Sequence, residues 1–297
     1  MASPKVWFIT GASAGLGRKV VEYALSKGDN VVATLRKPSM LEDLTAEYPS
    51  SRLVTFPLDV TDTPSITTAF NQAISHFSRV DVVLNNAGYY IVSETEGMPH
   101  KAAREMFDVL FWGAENVMRE AIRCFRDVNR PIGGRILNVS SRNAFIPQVG
   151  TVHYASAKAA LECLTEGYIA ELDPEWQIKI TLIEPGLFRT SMIQSRMTEP
   201  VHPAYESNPT LSSRKYRALY PDIEDTHFDG DPAKFAEVVY KLSRLDDPPI
   251  RLPLHRVALE SARKKGESLL ETAENWFSWS DDVYHVVGTS IKSIYAL

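Results

Sequence analysis

The sequence predicts a doubly wound α/β domain, a parallel sheet covered on both faces by helices, and three observations carry that reading. Seven short β-branched runs recur at wide spacing, apolar patterns of helical period lie between them, and the first run ends in a glycine-rich turn. Strands that are apolar throughout and alternate with helices imply a parallel sheet buried on both sides.

The runs are KVWFIT (5–10), NVVAT (30–34), RLVTF (52–56), VDVVLN (80–85), GRILNVS (134–140), IKITLIE (178–184) and IRLPL (250–254). After the first, Val20, Val21, Ala24 and Leu25 recur at helical spacing. Thr63-Pro64 and Asp231-Pro232 each read as an N-cap followed by proline at the first helical position. Residues 187–230 break the alternation, being rich in Met, Tyr, Pro and Ser without a clear period. Such a long irregular segment in a compact domain is more often a functional lid than a connector. The last stretch, 277–297, is apolar in places but broken by Gly288 and Lys292, and reads as a tail packed on the body or on another subunit. A single domain over 1–297 is expected, since α/β folds often reach this length undivided.

Composition supports a packed soluble domain, with 44% hydrophobic and 23% charged residues. A net charge of −5 and a pI near 5.9 argue against a nucleic-acid surface, and the longest basic cluster is Arg263-Lys264-Lys265. Cys124 and Cys163 are the only cysteines, and no CxxC or His pair has ligand spacing, so neither a disulfide scaffold nor a metal site is expected. The chain passes from Met1 straight into Val6-Trp7-Phe8-Ile9, without the charged region that opens a secretion signal. No apolar run approaches the ~20 residues that span a bilayer. A cytoplasmic, reducing location is the expectation.

The first strand ends in TGASAGLG, which places Gly11, Gly15 and Gly17 at the turn into a helix. Without side chains the backbone turns tightly and can approach a pyrophosphate, whose charge meets free N–H groups and the helix dipole. About 20 residues on, where an acid would bind the ribose of NAD, the chain reads Leu35-Arg36-Lys37. A guanidinium there suits a 2′-phosphate, so NADP(H) is the expected cofactor.

Taken together, TGASAGLG (10–17), LDV (58–60), NNAG (85–88), NVSS (138–141), YASAK (154–158) and PGLFRT (185–190) resemble the short-chain dehydrogenase/reductase family in order and spacing. The resemblance implies a Rossmann-like fold, a nicotinamide cofactor and homodimers or homotetramers built through helices. It also implies that Gly11, Ser13, Gly15, Leu16 and Gly17 line the pyrophosphate and that Asp59 and Val60 face the adenine. Asn86, Ala87 and Gly88 would support a ribose, and Pro185, Gly186 and Thr190 would flank the nicotinamide. Asp59 could equally cap its own loop.

The five-letter pattern of Tyr and Lys four apart occurs twice, as YALSK from Tyr23 and YASAK from Tyr154, and both copies put the pair on one helical face. Ligands of a doubly wound sheet sit at the carboxyl ends of its strands, where each helix begins. Tyr23 lies six residues past Gly17, roughly 9 Å down its helix at 1.5 Å per residue, which directs that pair to the wrong edge. Tyr154 stands near the start of its helix, thirteen residues after Ser141, the spacing of the family's catalytic Ser and Tyr. Tyr154 and Lys158 are therefore assigned to chemistry and to cofactor contact, and Tyr23 with Lys27 to an exposed pair. In the expected reaction a hydride reaches a carbonyl carbon while Tyr154 protonates its oxygen. A cationic Lys158 favours the phenolate, and Ser141 hydrogen-bonds the developing alkoxide.

One position departs from the family pattern: where members carry a catalytic Asn in FDVNFFG, this chain reads FDVLFWG with Leu110. An isobutyl group neither donates nor accepts a hydrogen bond, so the proton relay is in question. His153 offers a substitute shuttle or a merely structural ring. Tyr89, Tyr90, Phe145, Ile146, Met192, Met197, Tyr205, Tyr216 and Tyr220 gather toward the catalytic edge, which suits a bulky apolar or aromatic ketone or aldehyde. An NADPH-dependent carbonyl reductase is the leading reading, beside a non-redox isomerase or cyclase and a silent NADP(H) sensor. Phe111, Trp112, Leu161, Leu164 and Tyr168, on the segments near 100–128 and 154–172, are candidates for subunit pairing.

Overall fold

A computed structural model describes residues 3–190, 197–219, 228–280 and 283. All seven runs form strands of one parallel sheet: β1 (Val6–Thr10), β2 (Asn30–Leu35), β3 (Leu53–Pro57), β4 (Val82–Asn85), β6 (Gly134–Val139), β7 (Ile178–Pro185) and β9 (Arg251–Leu254). Their order is β3-β2-β1-β4-β6-β7-β9, so the winding reverses between β1 and β4. The ends of β1 and β4 thus part where a doubly wound sheet opens its ligand crevice.

Alternation along β1 splits the core. Trp7 and Ile9 pack with Val20, Val21 and Phe235 on one face. Phe8 packs with Phe70, Val117 and Phe125 on the other. The first layer is built by α1 (Gly15–Ser26) and α9 (Pro232–Leu242), joined by an edge-on contact of Tyr23 with Tyr240 at 5.4 Å. The second holds α3 (Thr63–Phe77), α5 (Ala114–Arg123) and α6 (Val152–Glu171). Among the described residues no helix is long and apolar enough to cross a membrane.

Local signals held with one shift. Asp231 caps α9 as expected, its carboxylate accepting from the Ala233 N–H at 2.7 Å. In α3 the cap position falls on Asp62, and Thr63 is already helical. The short helix α2 (Glu42–Glu47) leads into β3. Helix α4 (His100–Phe107) runs into α5 through a wider π-type turn at Asp108–Gly113, which holds Leu110. Segment 187–230 is less irregular than its composition suggests: β8 (Met197–Thr198) pairs with β5 (Ile91–Val92), and α7 (Pro203–Glu206) and α8 (Ser212–Leu219) follow. Met192 and Tyr220 lie outside the described residues, as does the 277–297 tail beyond Ser280 except Val283.

One ionic cluster ties α6 to the sheet edge. Arg251 on β9 donates to Glu162 at 2.6 Å, Glu184 at 2.8 Å and Glu166 at 2.9 Å. Burial lifts the Glu184 carboxyl to about 7, reinforced by the neighbouring Glu162. Arg251→Met leaves buried carboxylates without their cation, and should lower the unfolding free energy by about 2–3 kcal/mol at neutral pH. That is below the range for a fully buried pair, because Arg251 keeps a third of its side chain exposed. Losing the cation moves Glu184 still higher, so it is protonated at pH 5 and the penalty shrinks there; urea denaturation at the two pH values measures the difference.

Candidate active site

A cavity of about 1290 Å³ opens at the carboxyl ends of the central strands. Of the glycine turn, Gly11, Ser13, Gly15 and Leu16 line it. Gly11 sits at φ +65°, and a Cβ there would stand 2.8 Å from Ala87 Cα, so only glycine fits. Gly17 lies outside the lining and serves packing, since a Cβ would come within 2.5 Å of the Asn86 amide nitrogen and the Gly11 carbonyl oxygen.

The NNAG segment is fastened to this turn. Thr10 Oγ1 accepts from the N–H groups of Asn86 at 2.9 Å and Ala87 at 3.0 Å. In return Asn86 Nδ2 donates to the carbonyls of Thr10 at 3.0 Å and Gly11 at 3.2 Å. Asn86, Ala87 and Gly88 all line the cavity, as do Asp59, Val60, Pro185, Gly186 and Thr190. Asp59 also caps its loop, accepting from the backbone N–H and hydroxyl of Thr61, and these bonds hold its carboxyl below the usual range. Arg36 follows the last residue of β2 and reaches the cavity wall, whereas Lys37 is exposed outside it.

Ser141, Tyr154 and Lys158 line the same cavity. Ser141 ends the loop after β6, where its Oγ accepts from the Asn143 N–H at 3.2 Å and keeps a proton to donate. Tyr154 stands in the first turn of α6, its ring edge-on to Tyr90 at 5.9 Å. One turn on, Lys158 is buried, with Nζ 5.9 Å from the Tyr154 ring centre and donating to the Val139 carbonyl at 2.7 Å. Burial lowers the ammonium to about 8, and Glu162 on the next turn opposes the shift. Glu162 in turn accepts from Ser140 at 2.5 Å, so the carboxylate cluster of the sheet edge reaches the residue beside Ser141.

The second Tyr–Lys pair is remote from the cavity. Lys27 lies over the Tyr23 ring at 5.0 Å, but Tyr23 is partly buried against the core, a correction to an exposed pair. His153 lines a separate recess with His100 and Trp112, so its ring does not face Tyr154 across the cavity. Leu110 is fully buried with Ile91, Met98, Met106 and Ala157. Its methyl also occupies the space beside Gly88, where a Cβ would come within 2.8 Å.

Of the aromatic and apolar groups expected at the catalytic edge, Tyr89, Tyr90, Met197 and Tyr216 line the cavity, joined by Phe188 and Phe228. Phe145, Ile146 and Tyr205 do not: Phe145 lies beneath the Arg251 guanidinium at 5.7 Å, Ile146 faces outward, and the Tyr205 hydroxyl bonds Glu96 at 2.5 Å. Contacts between distant segments hold the outer wall. Arg217 of α8 forms a two-pronged ion pair with buried Glu94, at 2.8 and 2.7 Å, and donates to the Glu199 carbonyl at 2.7 Å. His255 accepts from the Val257 N–H through Nδ1, so its other nitrogen carries the proton and bonds Asp229 at 2.8 Å, directly beside Gly186. Glu162, four residues after Lys158, was detectable by helical spacing; Glu94 and Arg217, 123 residues apart, gave no local signal.

A glycine turn at the switch point shares one crevice with a Ser, a Tyr and a Lys, as in dinucleotide-dependent oxidoreductases. The model of the short chain dehydrogenases matches residues 5–200. An uncharacterized oxidoreductase of Schizosaccharomyces pombe is 38% identical over 93% of this chain and 90% of its own. A short-chain dehydrogenase structure from Streptomyces avermitilis superposes with a TM-score of 0.80 at 31% identity, covering 95% of this chain and 99% of that one. The Burkholderia cenocepacia short chain dehydrogenase in complex with NADP shares the fold, with a TM-score of 0.69, 23% identity and coverage of 92% and 97%. The chain belongs to the short-chain dehydrogenase family, oxidoreductases that use a nicotinamide dinucleotide.

Leu110 acts by packing in this site. Leu110→Ala should cost about 2–3 kcal/mol of stability by urea titration, as a buried cavity does.

Proposed function

We propose that the protein is an NADPH-dependent carbonyl reductase, reversible to alcohol oxidation, acting on a bulky apolar or aromatic ketone or aldehyde. The observation that carries this reading is the buried Lys158 beside Tyr154 on the cavity wall that also holds Ser141. A protein that only bound the dinucleotide would need the Lys more than the Tyr.

The residues present fit the cofactor. Gly11, which has no room for a Cβ against Ala87, keeps the turn tight at the cavity, and α1 begins directly after it at Gly15. Ser13, Gly15 and Leu16 would hold the pyrophosphate, Asp59 and Val60 the adenine, and Asn86, Ala87, Gly88, Pro185, Gly186 and Thr190 the nicotinamide half. When bound, the dinucleotide supplies the hydride. Tyr154 holds the proton for the carbonyl oxygen, and the Lys158 cation eases its release. Ser141 donates its hydroxyl to the oxygen as charge develops. Tyr89, Tyr90, Tyr216 and Met197 exclude water and present apolar surface, and the described part of the 187–230 segment that carries Met197 and Tyr216 would act as the lid. Leu110 supports one further reading, non-redox isomerisation or cyclisation on the same scaffold, distinguished by product formation without NADPH consumption.

Tyr154→Phe should lower NADPH oxidation with aromatic and polycyclic carbonyls by 10² or more, on the order of general acid catalysis; unchanged turnover would overturn the assignment. Because Lys158 is cationic below about 8 and neutral above, wild-type reduction should hold at lower pH and decline as pH rises through that value, read from kcat against pH.

Arg36 lines the cavity after β2, where its charge also helps to hold the Asp59 carboxyl low, and a guanidinium at that place supports preference for a 2′-phosphate. Arg36→Ala should raise KM for NADPH about tenfold or more and leave that for NADH unchanged, since a charge-assisted hydrogen bond contributes about 1.5–3 kcal/mol; equal wild-type affinity for the two would refute the preference.

A further inference from the structure

The last long helix, α10 (Arg256–Asn275), leaves the body after its first turns. Ala258 and Ser261 are buried, but every residue from Arg263 to Ser280 is exposed. Successive helical residues turn by about 100°, which gathers Leu259, Ala262, Gly266, Leu269, Leu270 and Ala273 into one stripe. Leu259 is 55% exposed, Leu269 57% and Leu270 66%, with Trp276 and Phe277 at 54% and 70% just past the helix end. A helical stretch this short is marginal in water without tertiary packing, and apolar stripes of this extent mark contact surfaces. The stripe is therefore a covered face in the working protein.

Charge decides what covers it. Arg263 and Glu274 lie eleven residues apart, three turns, on the same margin of the stripe. Neither has an ion-pair partner among the described residues. Lys265 lies on the opposite margin. Two parallel copies would face the Arg263 margin with the Lys265 margin, setting cation against cation. Two antiparallel copies about a twofold axis near Ser268 and Leu269 set Arg263 of each against Glu274 of the other, twice over. Gly266, with nothing within 4 Å of where its Cβ would be, lets the backbones approach there. A twofold contact of this kind is self-complementary.

We propose that a second copy of this chain covers the stripe, the two α10 helices pairing antiparallel with reciprocal Arg263–Glu274 ion pairs. The helices in which pairing was expected offer less: Leu161 is buried, Phe111, Leu164 and Tyr168 pack on the core, and Trp112 alone of the five is exposed.

Sedimentation velocity on the full chain at tens of micromolar tests this. The expected mass is a multiple of 33.2 kDa, halved in Leu269→Lys/Leu270→Lys, whose folding far-ultraviolet circular dichroism verifies. Arg263→Glu and Glu274→Arg should each weaken assembly on the order of tenfold, as two lost ion pairs with like charges in their place would, and the double charge swap should restore it. A monomeric wild type, as when the chain's own tail or an unrelated partner covers the stripe, overturns the proposal. An unchanged mass in the double Lys variant, or a double swap no better than either single, overturns it as well.

Discussion

The Thr10 hydroxyl at the end of β1 accepts two backbone N–H groups from the end of β4, and the site depends on that contact. At the switch point the two strands diverge, and their ends would expose backbone donors that water could reach but protein could not. Thr10 and the Asn86 side chain satisfy these groups on both sides. The glycine turn is thereby held rigid at φ +65° for Gly11, and the crevice beside it stays open. A family glycine pattern without this clasp would be only a turn.

The Lys158 side of the cavity is built on a cost. A buried lysine resists charging, and burial lowers Lys158 to about 8. The carbonyl of Val139 and the field of Glu162 offset part of that cost. Without Arg251, which it shares with Glu184 and Glu166, Glu162 would be a buried carboxylate held only by the Ser140 hydroxyl and the Lys158 field. The pKa of the central lysine is thus coupled through α6 to the last strand of the sheet, and the edge strand becomes part of the site's electrostatics. On the substrate side the Glu94–Arg217 pair plays a comparable structural part. It anchors α8 to the body and sets Tyr216 against Gly150, where a Cβ would come within 2.8 Å of the ring.

Strand positions, the layer arrangement, the glycine turn and the position of Tyr154 rather than Tyr23 at the carboxyl ends of the strands were legible in the sequence. Each rests on local physics: β-branched runs bury as central strands, glycine alone tolerates the turn, and helix polarity fixes which Tyr is near the carboxyl ends. The family resemblance extended this to the set of cavity residues, most of which do share one cavity. Tertiary structure decided the rest, because the relevant partners are remote in the chain. It assigned Gly17 to packing, moved Phe145, Ile146 and Tyr205 off the cavity, turned His153 into another recess, and joined Glu94 to Arg217. It also placed Leu110: composition shows an apolar residue where the family has an amide, but only the fold shows it packed among Ile91, Met98 and Met106 at the lining of the cavity, against Tyr154.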